Sequence, residues 1–166
     1  MTVEFIIPQH RGISITVKDN VSYLISGGFG GFGLGMAKWL VSQGAKSLII
    51  VSRSGAQSDE AKTAITAFAQ QGVNIKSAAI DIANSTAVEQ LINDVRNTFP
   101  PLAGIFHAAG VLDDNELLAI NGDSLQKVML PKALGAWNLH QFTADLSLDC
   151  FMLYSSVSSM IGNRNQ

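Results

Sequence analysis

Short β-branched runs alternate with stretches of helical periodicity along most of the chain. "VSYLISGG" (21–28), "SLIIVS" (47–52), "VNIKSAAI" (73–80), "LAGIFHAAG" (102–110) and "LDCFMLYSS" (148–156) read as strands. Between them, apolar residues recur at helical spacing. Leu34, Ala37, Leu40 and Val41 mark one face of a first helix that stops at Gly44. Ala61, Ala64, Ile65 and Phe68 mark a second, opened by Ser58 as cap and closed by Gly72. Val88, Leu91, Ile92 and Val95 mark a third, with Thr86 and Glu89 in capping-box spacing. Residues 123–143 look helical, with Pro131 predicting a kink or a break.

The order β-α-β-α-β-α-β-α-β, with strands apolar on both faces, predicts helices on both sides of a parallel sheet. The expected fold class is α/β, a Rossmann-like doubly wound parallel sheet truncated after its fifth strand. Residues 1–20 depart from the pattern. "VEFII" and "GISITV" read as a β-rich lead-in, a hairpin or two extended segments, and possible tail of a preceding structural subdomain. Residues 21–166 form the second unit.

Composition narrows the function classes. The 166 residues are 47% hydrophobic and 14% charged, which predicts a folded chain rather than a disordered one. A net charge of -2 offers no electrostatic attraction for nucleic acid or an anionic membrane surface. No apolar run approaches the ~20 residues of a membrane span, and the N-terminus lacks a signal-peptide pattern. The expectation is a soluble, cytoplasmic protein without a metal site. Cys150 has no intrachain partner and reads as a buried thiol in a reducing compartment.

The candidate chemistry begins at "SGGFGGFG" (26–33), where the first strand turns into the first helix. Gly27, Gly31 and Gly33 fit a GxxxGxG spacing, with Gly28 and Gly30 adding freedom and Phe29 and Phe32 between them. Such a turn lets the backbone approach a pyrophosphate and meets it with the N–H groups of the following helix. The second strand ends "VSRSG", without the acid that grips the ribose of NAD. Arg53 stands there instead, between Ser52 and Ser54, and a guanidinium flanked by hydroxyls suits a 2′-phosphate. The cofactor expected is therefore NADPH. Asp81, followed by Ile82, either accepts from the adenine amino group or caps the next helix.

Six motifs then occur in order: "SGGFGGFG", "SRSG", "HAAG" (107–110), "LDD" (112–114), "PKALGAWNLH" (131–140) and "YSS" (154–156). Together they resemble the ketoreductase domain of polyketide synthases, within the short-chain dehydrogenase/reductase superfamily. The resemblance implies NADPH-dependent reduction of a β-ketoacyl thioester carried on the phosphopantetheine arm of an acyl carrier protein. The other domains of the same synthase would be further partners.

The same resemblance implies roles for individual residues. Lys132 matches the family's catalytic lysine and Ser156 its catalytic serine. Ser155, on the opposite side of an assumed strand, is expected to touch cofactor. His107, Ala108, Ala109 and Gly110 pass under the nicotinamide ribose, with His107 itself packed or hydrogen-bonded rather than catalytic. Ser158 and Ser159 read as cap or turn residues. The family's tyrosine would fall at position 169, past Gln166, and Tyr23 and Tyr154 lie in strands at the wrong places to replace it. The fragment alone is therefore expected to be inactive. Leu112, Asp113 and Asp114 match the mark of B-type enzymes, and Ile161 stands where A-type enzymes usually carry a tryptophan. A structural, inactive domain and a stand-alone reductase are the competing functions; "PKALGAWNLH" and "LDD" oppose the latter.

Overall fold

The computed structural model describes residues 15–164. Most of the expected N-terminal hairpin, residues 1–14, lies outside the described residues. Residues 15–20 form no strand, but Ile15 and Val17 pack against the core. The Lys18 backbone N–H donates to Tyr23 Oη at 2.7 Å, and its ammonium pairs with Asp149 at 2.6 Å.

Five parallel strands form one sheet in the order β3-β2-β1-β4-β5. They are β1 (Ser22–Ser26), β2 (Ser47–Ser52), β3 (Asn74–Ala79), β4 (Leu102–His107) and β5 (Cys150–Leu153). Strand alternation divides the core into two layers. Tyr23, Ile25, Leu48, Ile50 and Phe106 face one side, with Leu34, Leu40 and Phe68 packed over them. Leu24, Ile49, Val51 and Ile105 face the other, under Val88, Leu91, Ile92, Val95 and Leu139. All of β1 and β4 is buried, whereas β3 and β5, at the sheet's edges, are partly open. For that reason Cys150, expected buried, is half-buried; what burial it has pushes its thiol pKa up.

The helices are α1 (Gly31–Ser42), α2 (Asp59–Gln70), α3 (Ser85–Thr98), α4 (Gly122–Met129), α5 (Gly135–Thr143) and the short α6 (Ser158–Ile161). Ser58 caps α2 through a bond from Ala61 N–H, as expected. The cap of α3 is Asn84, accepting from Ala87 N–H, and not Thr86. Asparagine placed just before the first turn reaches that donor, and the capping-box spacing inside the helix is incidental. Pro131 does not break the helical path. Leu130–Leu134 widen into one π turn, in which Gly135 N–H reaches the Leu130 carbonyl five residues back, and α5 continues from it. The wider turn relieves the clash between the proline ring and the preceding turn. No helix among the described residues is long and apolar enough to cross a membrane.

Candidate functional site

The strand order reverses at β1, which has β2 and β4 as neighbours. In open α/β sheets the crevice at the carboxyl ends of such strands is where ligands bind. A cleft of about 400 Å³ lies there. Gly27, Phe29 and Gly30 line it from the β1–α1 turn, Ser52, Arg53 and Ser54 from the end of β2, Asp81 and Ile82 from beyond β3, and Ala108, Ala109 and Gly110 from beyond β4. Eleven expected residues from four separate motifs thus share one cavity.

Within the glycine turn the roles divide. Gly27 has φ +67°, and a Cβ there would come within 2.7 Å of the Ala108 carbonyl. A Cβ on Gly28 would lie 2.4 Å from Ile50 Cγ2, and one on Gly33 would lie 2.3 Å from the Gly27 carbonyl oxygen. These three are glycines because protein atoms occupy the space. Gly31 differs, since a Cβ there would meet nothing within 4 Å. The start of α1 is open in a second sense. Side chains of Ser58, Asn84 and Asn121 cap α2, α3 and α4, but Gly30 caps α1 without a side-chain bond, and the first turn holds no acid. The donors at this helix start are left to a ligand or water.

Arg53 is exposed on the rim and makes no ion pair with any described residue. Ser52 Oγ donates to the Gly55 carbonyl at 3.1 Å and shapes the turn that presents the arginine. Asp81 turns its own loop, accepting from Ala83 N–H at 2.9 Å, and lines the cleft as well. The cap of the next helix is Asn84, so the helix-cap reading of Asp81 is corrected to that of a loop turn.

His107 is packed and hydrogen-bonded, as expected. Its Nδ1 lies 2.6 Å from Ser26 Oγ and its Nε2 lies 3.1 Å from the Lys132 carbonyl oxygen. Burial holds its pKa below the ordinary histidine value. Lys132 sits in the π turn, its stem so close to Gly110 that a Cβ there would approach Lys132 Cε to 3.1 Å. Sequence reasoning missed three supporting residues. Ser26 is buried beneath the cleft, Gly135 admits no side chain against Ile82, and Asn138 donates to the Ile82 carbonyl at 3.0 Å. Gly135 and Asn138 stand inside "PKALGAWNLH", so the motif signalled them without saying why.

The serines require a correction. β5 ends at Leu153, so Ser155 and Ser156 follow the strand rather than extend it, and strand alternation does not separate them. Their partners do. Ser156 Oγ accepts from Ser158 N–H at 3.2 Å, while Ser155 Oγ lies 3.5 Å from Ser159 Oγ. Ser159 Oγ also donates to the Ser156 carbonyl, a turn role as expected. Tyr154 likewise lies just past β5; its ring contacts exposed Phe32 at 6.0 Å, joining the start of α1 to this segment. Leu112 and Asp114 are exposed, whereas Asp113 is bound by Lys127 of α4, which holds its carboxyl below the usual range. Neither the serines nor residues 112–114 line the cleft itself.

Comparison with known proteins adds the family. The model of the KR domain matches residues 21–166. The chain belongs to the KR domain family, the ketoreductase domains of polyketide synthases within the short-chain dehydrogenase/reductase superfamily. This KR domain is 36% identical over 149 residues to the fungal "Highly reducing polyketide synthase phiA" (strain ATCC 74256), covering 90% of the chain and 6% of that protein. It is 36% identical over 149 residues to the "Squalestatin hexaketide synthase" of Phoma sp., again covering 90% and 6%. The chain thus spans under a tenth of the length of these relatives. Its fold matches that of A-type ketoreductases from a modular polyketide synthase, with TM-score 0.86, 35% identity, and coverage of 96% of this chain and 34% of that one. The first ketoreductase of the tylosin PKS gives 0.80, 35%, 88% and 31%.

Proposed function

We propose that this KR domain serves NADPH-dependent reduction of a β-ketoacyl thioester to a β-hydroxyacyl thioester, on substrate held by an acyl carrier protein of the same synthase. The observation that carries the reading is the cleft at the strand-order reversal, where an uncapped helix start and an unpaired arginine face one cavity. A dinucleotide fits these residues. The N–H groups at the start of α1, over the open Gly31, would hold the pyrophosphate, and Arg53 the 2′-phosphate. Asp81 would meet the adenine, and the Ala108–Gly110 backbone the nicotinamide ribose.

NADPH, when bound, supplies the hydride for the ketone carbon. The chain's own residues manage the oxygen. Ser156 donates a hydrogen bond to it, and the bond strengthens as the oxygen gains negative charge. Ser158 N–H takes one acceptor site of its oxygen, leaving the hydroxyl proton to donate elsewhere. Lys132 would hold the site positive, favouring delivery to the alkoxide of the proton that the family's tyrosine, expected at position 169, would give. Leu112, Asp113 and Asp114 guide the substrate to the B-type product. That assignment rests on the sequence of residues 112–114, whereas the likeness to A-type ketoreductases, at 35% identity, is one of the chain as a whole.

The test, run on the full-length synthase that carries this domain, is a side-by-side titration with NADPH and NADH, followed by turnover of a β-ketoacyl thioester. NADPH should bind about 10- to 100-fold more tightly, the worth of one charge-assisted contact. Arg53→Ala should remove most of that preference. Equal affinities in the unsubstituted protein would sink the cofactor assignment, and a thioester left unreduced would sink the activity.

A further inference from the structure

Resting on the role proposed for Lys132, we propose that His107, backed by Ser26, is the positioning residue that fixes the π turn carrying that lysine. The hydrogen-bond chemistry leaves the ring one arrangement. A neutral imidazole has one donor and one acceptor nitrogen. The Lys132 carbonyl accepts only, so Nε2 carries the proton and donates to it at 3.1 Å. Nδ1 is then the acceptor, and the Ser26 hydroxyl donates to it at 2.6 Å. The ring is 4% exposed, and its lowered pKa keeps it in this neutral form.

The tether is needed because a π turn is a poor anchor by itself. Pro131 supplies no N–H, and the wide turn uses longer-spaced backbone bonds than the helices around it. The turn is instead seated on the sheet from two sides. His107 grips the Lys132 carbonyl from the end of β4. Gly135, with no room for a Cβ within 2.5 Å of Ile82 Cγ2, lets the helix press onto the loop after β3, and Asn138 ties it to the Ile82 carbonyl. Ser26 is the last residue of β1, directly before Gly27. One chain of bonds therefore links the glycine turn to the backbone of Lys132, so the lysine's place is set by the same strand ends that form the cleft.

Two amide substitutions separate this role from mere packing. The Oδ1 of His107→Asn falls near the former Nδ1 and accepts from the Ser26 hydroxyl, keeping the Ser26 side and losing the Lys132 side. The Nε2 of His107→Gln reaches the Lys132 carbonyl and loses Ser26. Both variants remove the ring, so losses common to that change cancel. In assays of NADPH-dependent thioester reduction by the full-length synthase, Gln should lower kcat by about threefold and Asn by roughly a further tenfold, with KM for NADPH alike in the two. On a Lys132→Ala background the difference between Asn and Gln should vanish, since the histidine acts through the lysine. Equal kcat values for Asn and Gln, or a difference that survives Lys132→Ala, overturn the inference while leaving the proposed activity standing. An unsubstituted chain that turns nothing over removes both. If thermal melting shows that either histidine variant does not fold, Gly135→Ala replaces the pair. Its Cβ would push against Ile82 and His107, and it should lower kcat about tenfold on the wild-type background only; an unchanged kcat again overturns the inference.

Discussion

A methyl group on Gly33 would come within 2.3 Å of the Gly27 carbonyl oxygen, whereas beyond β5 the serines of "YSSVSS" bond chiefly to one another. These two regions are the cofactor half and the substrate half of the proposed site. The first is built into the sheet. Its turn touches β2 through Gly28 N–H on the Val51 carbonyl and β4 through the close approach of Gly27 to Ala108. The second hangs from an edge strand of four residues, with Val157, Met160 and Ile161 exposed. The difference teaches where each half takes its geometry: one from close packing of buried strand ends, the other from local turns.

The comparison is broken most directly at Gly27. Gly27→Ala forces an alanine into a left-handed conformation and against the Ala108–Ala109 backbone just beyond β4, at a cost of about 2–5 kcal/mol in denaturant unfolding. Gly31→Ala should leave stability nearly unchanged and weaken NADPH binding instead. If both substitutions destabilise equally, the division between packed and open glycines is wrong.

The substrate half is sharpened by its two serines. Ser156→Ala should lower turnover by about 10²–10³-fold, with NADPH affinity nearly intact. Ser155→Ala should cost only a few-fold, because its hydroxyl faces Ser159. A reversed ranking in steady-state assays would move the catalytic role to Ser155.

His107 lies between the halves and gives a pH signature. Its folded pKa is depressed by burial, so above about 6.5 it is neutral in both states and carries no penalty. As pH falls below that value the unfolded chain takes up the proton first, and stability should decline by at most about 1.4 kcal/mol per pH unit from this group. Unfolding midpoints at pH 7.5 and 5.5 should differ less in His107→Gln than in the unsubstituted protein; an identical slope would locate the acid sensitivity elsewhere.

The smallest effect is expected in the 112–114 loop. Lys127→Met releases Asp113 from α4. The ratio of the two β-hydroxyl products should fall by up to about fivefold, with turnover little changed. Chiral analysis that returns an unaltered ratio would show that the pairing does not serve stereocontrol.

Much of this was legible in the sequence, for a definite reason. Strand and helix positions followed from runs such as "SLIIVS" and the Val88–Val95 stripe, because burial on one or two faces imposes its period on the residues themselves. The glycine loop and Arg53 were legible because a strand–glycine–helix order constrains chemistry locally. Pro131, Ser155 and the cap of α3 were read less well. Whether a proline breaks a helix or widens it depends on what holds the next turn, and the holding group, His107, is 24 residues earlier. The end of β5 depends on how far its neighbour β4 runs, since a parallel ladder stops when its partner does. Ser26, Gly135 and Asn138 stand inside motifs, but nothing local states what they support. Composition and periodicity therefore determined the layers, the order of strands and helices, and the residue types offered to the cleft. Only the tertiary structure decided which glycines are filled by protein atoms, which helix start is left uncapped, and which carbonyl the buried histidine grips, because each depends on contacts between segments far apart in the chain.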